Sequence, residues 1–204
     1  MNRFYRFIRG FFGGFFKLVY RVKIVGRENE ITDKPYIVCA NHTSLMDVVM
    51  LVISFKGQIN FMAKQEIFKV PLLRSFVKAM GGFPIDRKGS DVAAIKKTIG
   101  MLNEGNNIGI FPQGTRCPFK NPRDTEVKDG IGMIASRAGV GFMPVYIKTK
   151  REKLSIFRRT KIIIGEYISP EELTCDKTGR EKYAHISNYV FDKVCTLGES
   201  SEVR

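Results

Sequence analysis

Residues 36–55 read Tyr36-Ile37-Val38-Cys39-Ala40, then Asn41-His42-Thr43-Ser44, then Leu45-Met46-Asp47-Val48-Val49-Met50-Leu51-Val52-Ile53-Ser54-Phe55. The first piece follows Pro35 and is a short apolar run of strand type. The third is apolar throughout except Asp47 and Ser54, and is long enough for a buried helix. Ser44 reads as its N-cap, with Asp47 as the third helical residue, the arrangement of a capping box. A strand that feeds a buried helix through a polar hinge is the opening of an α/β unit.

The alternation continues outward from this unit. Ile59–Met62 reads as a strand, and Pro71 opens a helix carried by Leu72–Met80. Gly82–Ile85 returns to extended chain. Ser90 caps a helix along Asp91, Ile95, Ile99 and Leu102, which Gly105 ends. Asn107–Phe111 is a strand stopped by Pro112, and Gly130–Ala138 a helix. Val140–Thr149 and Lys161–Ile168 read as strands, and Glu181–Cys195 as a closing helix. Strands alternating with helices predict a single α/β domain with a mixed, largely parallel sheet flanked by helices. The chain has 204 residues, enough for one such domain, and no repeat or linker divides it. The main domain is expected over 28–204, preceded by a distinct segment, 1–27.

Residues 1–27 contain no acid and seven basic residues, with eight aromatics among the first twenty positions. On a helical wheel, Phe4, Phe7, Ile8, Phe11, Phe12, Phe15, Phe16, Leu18 and Val19 fill one half. Arg3, Arg6, Arg9, Lys17, Arg21 and three glycines fill the other. An aromatic face opposed to an Arg/Lys face suits the headgroup boundary of a bilayer. The expectation is an amphipathic helix lying on a membrane surface, on the cytoplasmic face of the cell membrane, peripheral or monotopic. The uncharged stretch between Arg9 and Lys17 falls far short of the ~20 residues a spanning helix needs.

The formal charge is +14, which asks for a polyanionic partner: nucleic acid, anionic lipid, a phosphorylated substrate or an acidic protein. No helix-turn-helix, zinc-finger or RNP signature supports nucleic acid. The four cysteines, Cys39, Cys117, Cys175 and Cys195, form no C-x-x-C pair. With only His42 and His185 as histidines, their spacing fits neither a zinc site nor a disulfide framework. No metal or other cofactor is expected.

His42 stands where a strand runs into a helix, a favourable place for chemistry. Asp47 follows at H-x4-D spacing. On one continuous helix that spacing turns through about 500° and splays the side chains. The two meet only if His42 precedes the helix and Asp47 sits in its first turn. A carboxylate so placed orients an imidazole as general base. Asp47 as a cap, and His42 as a core histidine, remain the alternatives.

Three later blocks give the pair its context: Gly82-Phe83-Pro84-Ile85-Asp86-Arg87, Phe111-Pro112-Gln113-Gly114-Thr115-Arg116 and Phe142-Met143-Pro144-Val145. Together with Asn41–Asp47, in this order and spacing, they resemble the glycerolipid acyltransferase family, and within it the bacterial 1-acyl-glycerol-3-phosphate acyltransferases. The resemblance implies that His42 is the general base and Asp47 its orienting partner. It associates Arg87 and Arg116 with the phosphate of a lysophosphatidic acid acceptor, which suits guanidinium forks. It places Gln113, Gly114 and Thr115 in the same acceptor site, and Lys64, in Ala63-Lys64-Gln65-Glu66, as a further phosphate contact. The acyl donor it implies is a thioester, acyl-CoA or acyl carrier protein. The family has glutamate where this chain has Gln113, which bears on acceptor preference.

Direct transfer is expected, since there is no G-x-S-x-G elbow and Cys39 reads as a small buried residue. Lys148–Lys161 holds seven basic residues and one acid. It reads either as a dock for the donor or as a solvated connection drawn to membrane. Other acceptors (glycerol 3-phosphate or another lysolipid) and a catalytically silent membrane-binding scaffold remain as alternatives.

Overall fold

The computed structural model describes residues 3–85 and 91–200. In chain order the elements are α1 (Arg3–Val19), β1 (Val22–Val25), β2 (Ile37–Ala40), α2 (Met46–Ser54), β3 (Ile59–Lys64), α3 (Pro71–Ala79), β4 (Gly82–Ile85), α4 (Asp91–Asn103), β5 (Asn107–Ile110), α5 (Gly130–Ala138), β6 (Phe142–Lys148), β7 (Thr160–Ile164) and α6 (Gly179–Ser200). The strands form one sheet in the order β1-β7-β6-β2-β5-β3-β4. Every neighbouring pair is parallel except β6 and β7. This is the mixed, largely parallel α/β domain that the alternation predicts. The Ser90 cap lies outside the described residues.

β2 is the central strand and is buried along its whole length. Its side chains alternate between two cores, as the two-residue period of a strand requires. Val38 and Ala40 pack with Met50, Leu51 and Val52 of α2; Ile37 and Cys39 pack with Ile134 of α5 and Val190 of α6. The connection leaving β2 therefore goes to one face, and that leaving its parallel neighbour β5 goes to the other. Between them, at the carboxyl edge of the sheet, lies the switch point where open α/β sheets form their binding crevice.

The amino-terminal segment differs from expectation in two ways. Its helix ends at Val19, and Val22–Val25 forms strand β1, paired in parallel with β7. The boundary at residue 27 thus cuts through the sheet: Val22 and Ile24 alternate with the exposed Lys23, a strand period inside a basic run. Second, Arg9 and Arg27 face the protein. The Arg9 Nη1 donates to the Phe55 carbonyl at 2.8 Å, and Arg27 donates to Ser54 O at 2.9 Å and Ile53 O at 3.2 Å. They satisfy and neutralise the carbonyl end of α2, where cations are favoured. Tyr5 is buried in the α2 core, and the Ile59 N–H donates to its hydroxyl at 3.4 Å. On the other side of α1, Phe11, Phe15 and Leu18 are 66%, 59% and 77% exposed, so a line of large apolar side chains points away from the domain.

Candidate active site

The hinge after β2 is fixed at its base by Asn41. Its buried amide accepts from Ile147 N–H at 2.7 Å and donates to Ile147 O at 3.2 Å, tying the end of β2 to β6. The next residue, His42, places its Nδ1 2.9 Å from Asp47 Oδ2. That same oxygen accepts the N–H groups of Thr43 at 2.6 Å and Ser44 at 2.7 Å. Backbone N–H groups only donate, so Oδ2 is the acceptor of all three bonds. Nδ1 therefore carries the proton and Nε2 keeps its lone pair. Among the described residues no protein group hydrogen-bonds Nε2.

Asp47 is fully buried, and the His42 side chain is 15% exposed, so the imidazole meets solvent while the carboxylate that orients it does not. Asp47 serves as a helix cap and contacts His42 at the same time. Ser44 Oγ accepts from Met46 N–H at 3.2 Å while Asp47 reaches back to Ser44 N–H, which is the capping box. Leu45 already has helical dihedrals, so Asp47 lies in the first turn and His42 before it, as the pairing demands.

The imidazole also stacks on Phe111, with ring centroids 4.0 Å apart and planes 13° from parallel. Phe111 in turn stacks on Phe61 at 6.1 Å. Gly109 on β5 makes room for this arrangement, since a Cβ there would stand 2.1 Å from the Phe61 ring. The Phe111 ring thus lies flat against the imidazole.

The segment after β5 is tied to His42 at two points. Gln113 Oε1 accepts from His42 N–H at 2.7 Å, and Cys117 N–H donates to His42 O at 2.8 Å. Gln113, expected among the acceptor contacts, is only 3% exposed. Its Nε2 donates to Thr125 Oγ1 at 2.8 Å, and that hydroxyl donates to Pro122 O at 2.6 Å. Both ends of the amide are thus engaged within the protein. Gly114, Thr115 and Arg116 stand exposed between the two ties. Gly114 has φ 68°, and this left-handed conformation, which favours glycine, closes the turn from Phe111 O to Gly114 N–H. Arg116 is exposed one residue before the Cys117 that binds the His42 carbonyl.

Lys64 ends β3 at the same carboxyl edge, but its side chain lies outside the described portion. Arg87 also lies outside the described residues, two positions beyond the end of β4. The N–H groups of His42, Thr43 and Ser44 are already taken by Gln113 and Asp47. These hinge N–H groups are thus occupied within the protein. Cys39 is fully buried on β2, and burial pushes its thiol well above the ordinary range, away from nucleophilic use. Arg123 reaches from the same long connection to Asp192 and Glu199 on α6 and clamps it there.

A buried carboxylate orienting a partly exposed imidazole at the switch point of a largely parallel sheet is the geometry that general-base chemistry requires. Residues 21–148 match the family described as Acyltransferase. The chain is 32% identical over 148 residues to a 1-acyl-sn-glycerol-3-phosphate acyltransferase of Bacillus subtilis (strain 168), a match covering 71% of this chain and 72% of that protein. It is 30% identical over 191 residues to the 1-acyl-sn-glycerol-3-phosphate acyltransferase of Saccharomyces cerevisiae, covering 89% of this chain and 62% of that one. The crystal structure of the LPA acyltransferase PlsC from Thermotoga maritima is similar with a TM-score of 0.72 and 26% identity, over 98% of this chain and 81% of that chain. The chain belongs to the acyltransferase family.

Proposed function

We propose that the protein transfers a fatty acyl group from a thioester, acyl-CoA or acyl carrier protein, to the sn-2 hydroxyl of 1-acyl-glycerol-3-phosphate, giving phosphatidic acid. The observation that carries this reading is the 2.9 Å contact between His42 Nδ1 and buried Asp47, which leaves Nε2 as the base. Nε2 takes the proton of the acceptor hydroxyl as that oxygen attacks the thioester carbonyl. Asp47 stabilises the imidazolium. The carbon–sulfur bond breaks, and His42 returns the proton to the leaving thiolate. Arg116, exposed in the loop tied to His42, and Arg87 are assigned to the acceptor phosphate. The names of the similar proteins support the acceptor.

The reaction is placed at a membrane surface, where the acceptor resides. The line Phe11, Phe15 and Leu18 supports this, since these large apolar side chains are each more than half exposed. No helix among the described residues is long and apolar enough to cross a membrane. The cytoplasmic face of the cell membrane is the proposed location. The test is an acyl-transfer assay of purified protein, offering lysophosphatidic acid and glycerol 3-phosphate with both thioester donors. Transfer to lysophosphatidic acid is expected; transfer to glycerol 3-phosphate alone reassigns the acceptor, and no transfer favours a silent scaffold.

A further inference from the structure

The connection between β6 and β7, residues 149–159, carries a pattern that the acyl-transfer site does not use. Ile156 and Phe157 are 57% and 71% exposed at its tip. Lys150, Arg151, Lys153 and Arg158 are exposed around them. The connection is nevertheless built into the domain. Leu154 is buried in the same core cluster that Phe16 and Tyr20 of the α1 end pack against. Its one acid, Glu152, turns inward to accept from the Tyr146 hydroxyl at 3.1 Å. The Phe157 N–H donates to Val19 O, the last residue of α1, at 2.7 Å. Phe157 has φ 60°, a conformation that bulky side chains rarely adopt, so the fold holds this phenyl ring outward against local preference.

Topology places the tip beside both the membrane helix and the base. β6 is parallel to β2, so it delivers Lys148 to the same sheet edge as His42. β7 starts from that edge, and Thr160 N–H donates to Tyr20 O at 3.1 Å, just past α1. Glu152 O accepts from Phe119 N–H at 3.0 Å, two residues beyond the Cys117 that binds His42 O. Phe119 is itself 63% exposed, with Lys153 Nζ 4.8 Å from its ring centroid.

We propose that the 149–159 connection is a second lipid-contacting element. Ile156 and Phe157 enter the interface of an anionic bilayer beside the end of α1, while the surrounding Lys and Arg side chains meet phosphate headgroups. This rests on the membrane-surface reading of α1 and extends it to the border of the active site. Basic charge alone fits an acidic carrier protein equally well. Exposed Ile and Phe at the tip, continuous with the α1 end and its outward Leu18, fit the mixed apolar and anionic chemistry of a bilayer interface.

The chain contains no tryptophan, so a single introduced one is a reporter without background. Full-length Phe157→Trp and, separately, Phe15→Trp are mixed with vesicles of phosphatidylglycerol and phosphatidylcholine, with and without brominated acyl chains. A blue shift and bromine quenching at both positions are expected, weaker on pure phosphatidylcholine. A response at Phe15→Trp with Phe157→Trp left in water overturns the proposal while the helix reading stands; silence at both overturns the two together. Movement of the Phe157→Trp emission with acyl carrier protein and not with vesicles makes the tip a protein dock, and overturns it too. The Ile156→Ser/Phe157→Ser double variant is expected to bind anionic vesicles about tenfold more weakly. It should keep a native circular dichroism spectrum and full turnover of a short-chain, monomeric acceptor. Unchanged vesicle binding by the folded double variant also overturns the proposal.

Discussion

His42 N–H donates to Gln113 Oε1 across 2.7 Å, so the residue carrying the base is held by a side chain 71 positions later in the sequence. The bond fixes the amide's orientation, because a backbone N–H accepts nothing; Nε2 must face Thr125. Gln113 thus braces the His42 backbone from within the protein. Gln113→Leu leaves a buried N–H unpaired, at a cost of about 1–3 kcal/mol in stability. It should lower kcat with little change in the acceptor KM. Gln113→Glu keeps an acceptor for His42 N–H but forces Thr125 to turn its hydroxyl proton away from Pro122 O. It is expected to recover most of the kcat lost in Gln113→Leu. Steady-state kinetics of both variants test this: a change confined to acceptor KM would return Gln113 to the acceptor site.

His42→Ala removes the base, and transfer should fall by about 10²–10⁴-fold while the fold persists. Asp47→Asn is subtler. Thr43 and Ser44 N–H groups both point at the Oδ2 position, so an asparagine must place its oxygen there. That oxygen still accepts from Nδ1–H, which preserves the tautomer and removes the charge facing the imidazolium, while the amide NH2 takes the buried Oδ1 position, which has no hydrogen-bond partner among the described residues. Turnover should drop strongly with a modest loss of thermal stability, whereas Asp47→Ala should destabilise further by stranding the Thr43 and Ser44 N–H groups. Near-normal turnover of Asp47→Asn would reduce Asp47 to a cap.

Arg116 is exposed within the loop pinned to His42 on both sides. Arg116→Ala should raise KM for the lysophosphatidic acid acceptor far more than KM for the thioester, and Arg116→Lys should restore little, since the bidentate fork is lost. Arg87→Ala is expected to behave alike. Kinetics with both substrates varied decide it; an effect on the donor alone assigns these arginines to the donor.

The hinge was legible because its signals are local. A strand-type run, a polar hinge and an apolar helix follow one another within twenty positions, and the Ser44–Asp47 capping geometry fits in four. Strand β1 was not, because Val22-Lys23-Ile24-Val25 is too short to override the helical pattern and positive charge before it. Nor was the role of Gln113 or of Asn41. Their partners, His42 and Ile147, lie 71 and 106 positions away and meet them only through the pairing of β2 with β5 and β6. The wheel angle puts Arg9 with the other Arg and Lys side chains, on the face opposite the aromatic residues. The wheel has no knowledge of the open carbonyl end of α2 that it satisfies.

The docking of α1 changes how its membrane role is best tested. Deleting the helix would strip Tyr5 from the core and Arg9 from the α2 carbonyls. Phe11→Ser/Phe15→Ser/Leu18→Ser alters only the outward line. This triple variant should stay folded, stop sedimenting with anionic vesicles and lose activity on bilayer acceptor while keeping it on dispersed acceptor. Sedimentation equal to that of the unmodified chain would show that the line has no membrane role.

Glu152 gives a prediction on pH. Burial raises its carboxyl above the ordinary 4.5, against the hydrogen bond from Tyr146 and the charge of Lys148, which pull it down. The folded protein therefore holds this proton more tightly than the unfolded chain does. The resulting stability is fully present below the unfolded value and is lost as pH rises through the folded one. Glu152→Gln keeps an acceptor for the Tyr146 hydroxyl and does not titrate. Chemical denaturation of the two proteins across this window should show the unmodified chain losing stability relative to Glu152→Gln as pH rises. The comparison cancels the other carboxylates, whose acid titration acts on both proteins alike. A constant difference across the window would mean that Glu152 titrates in the fold as it does in the open chain.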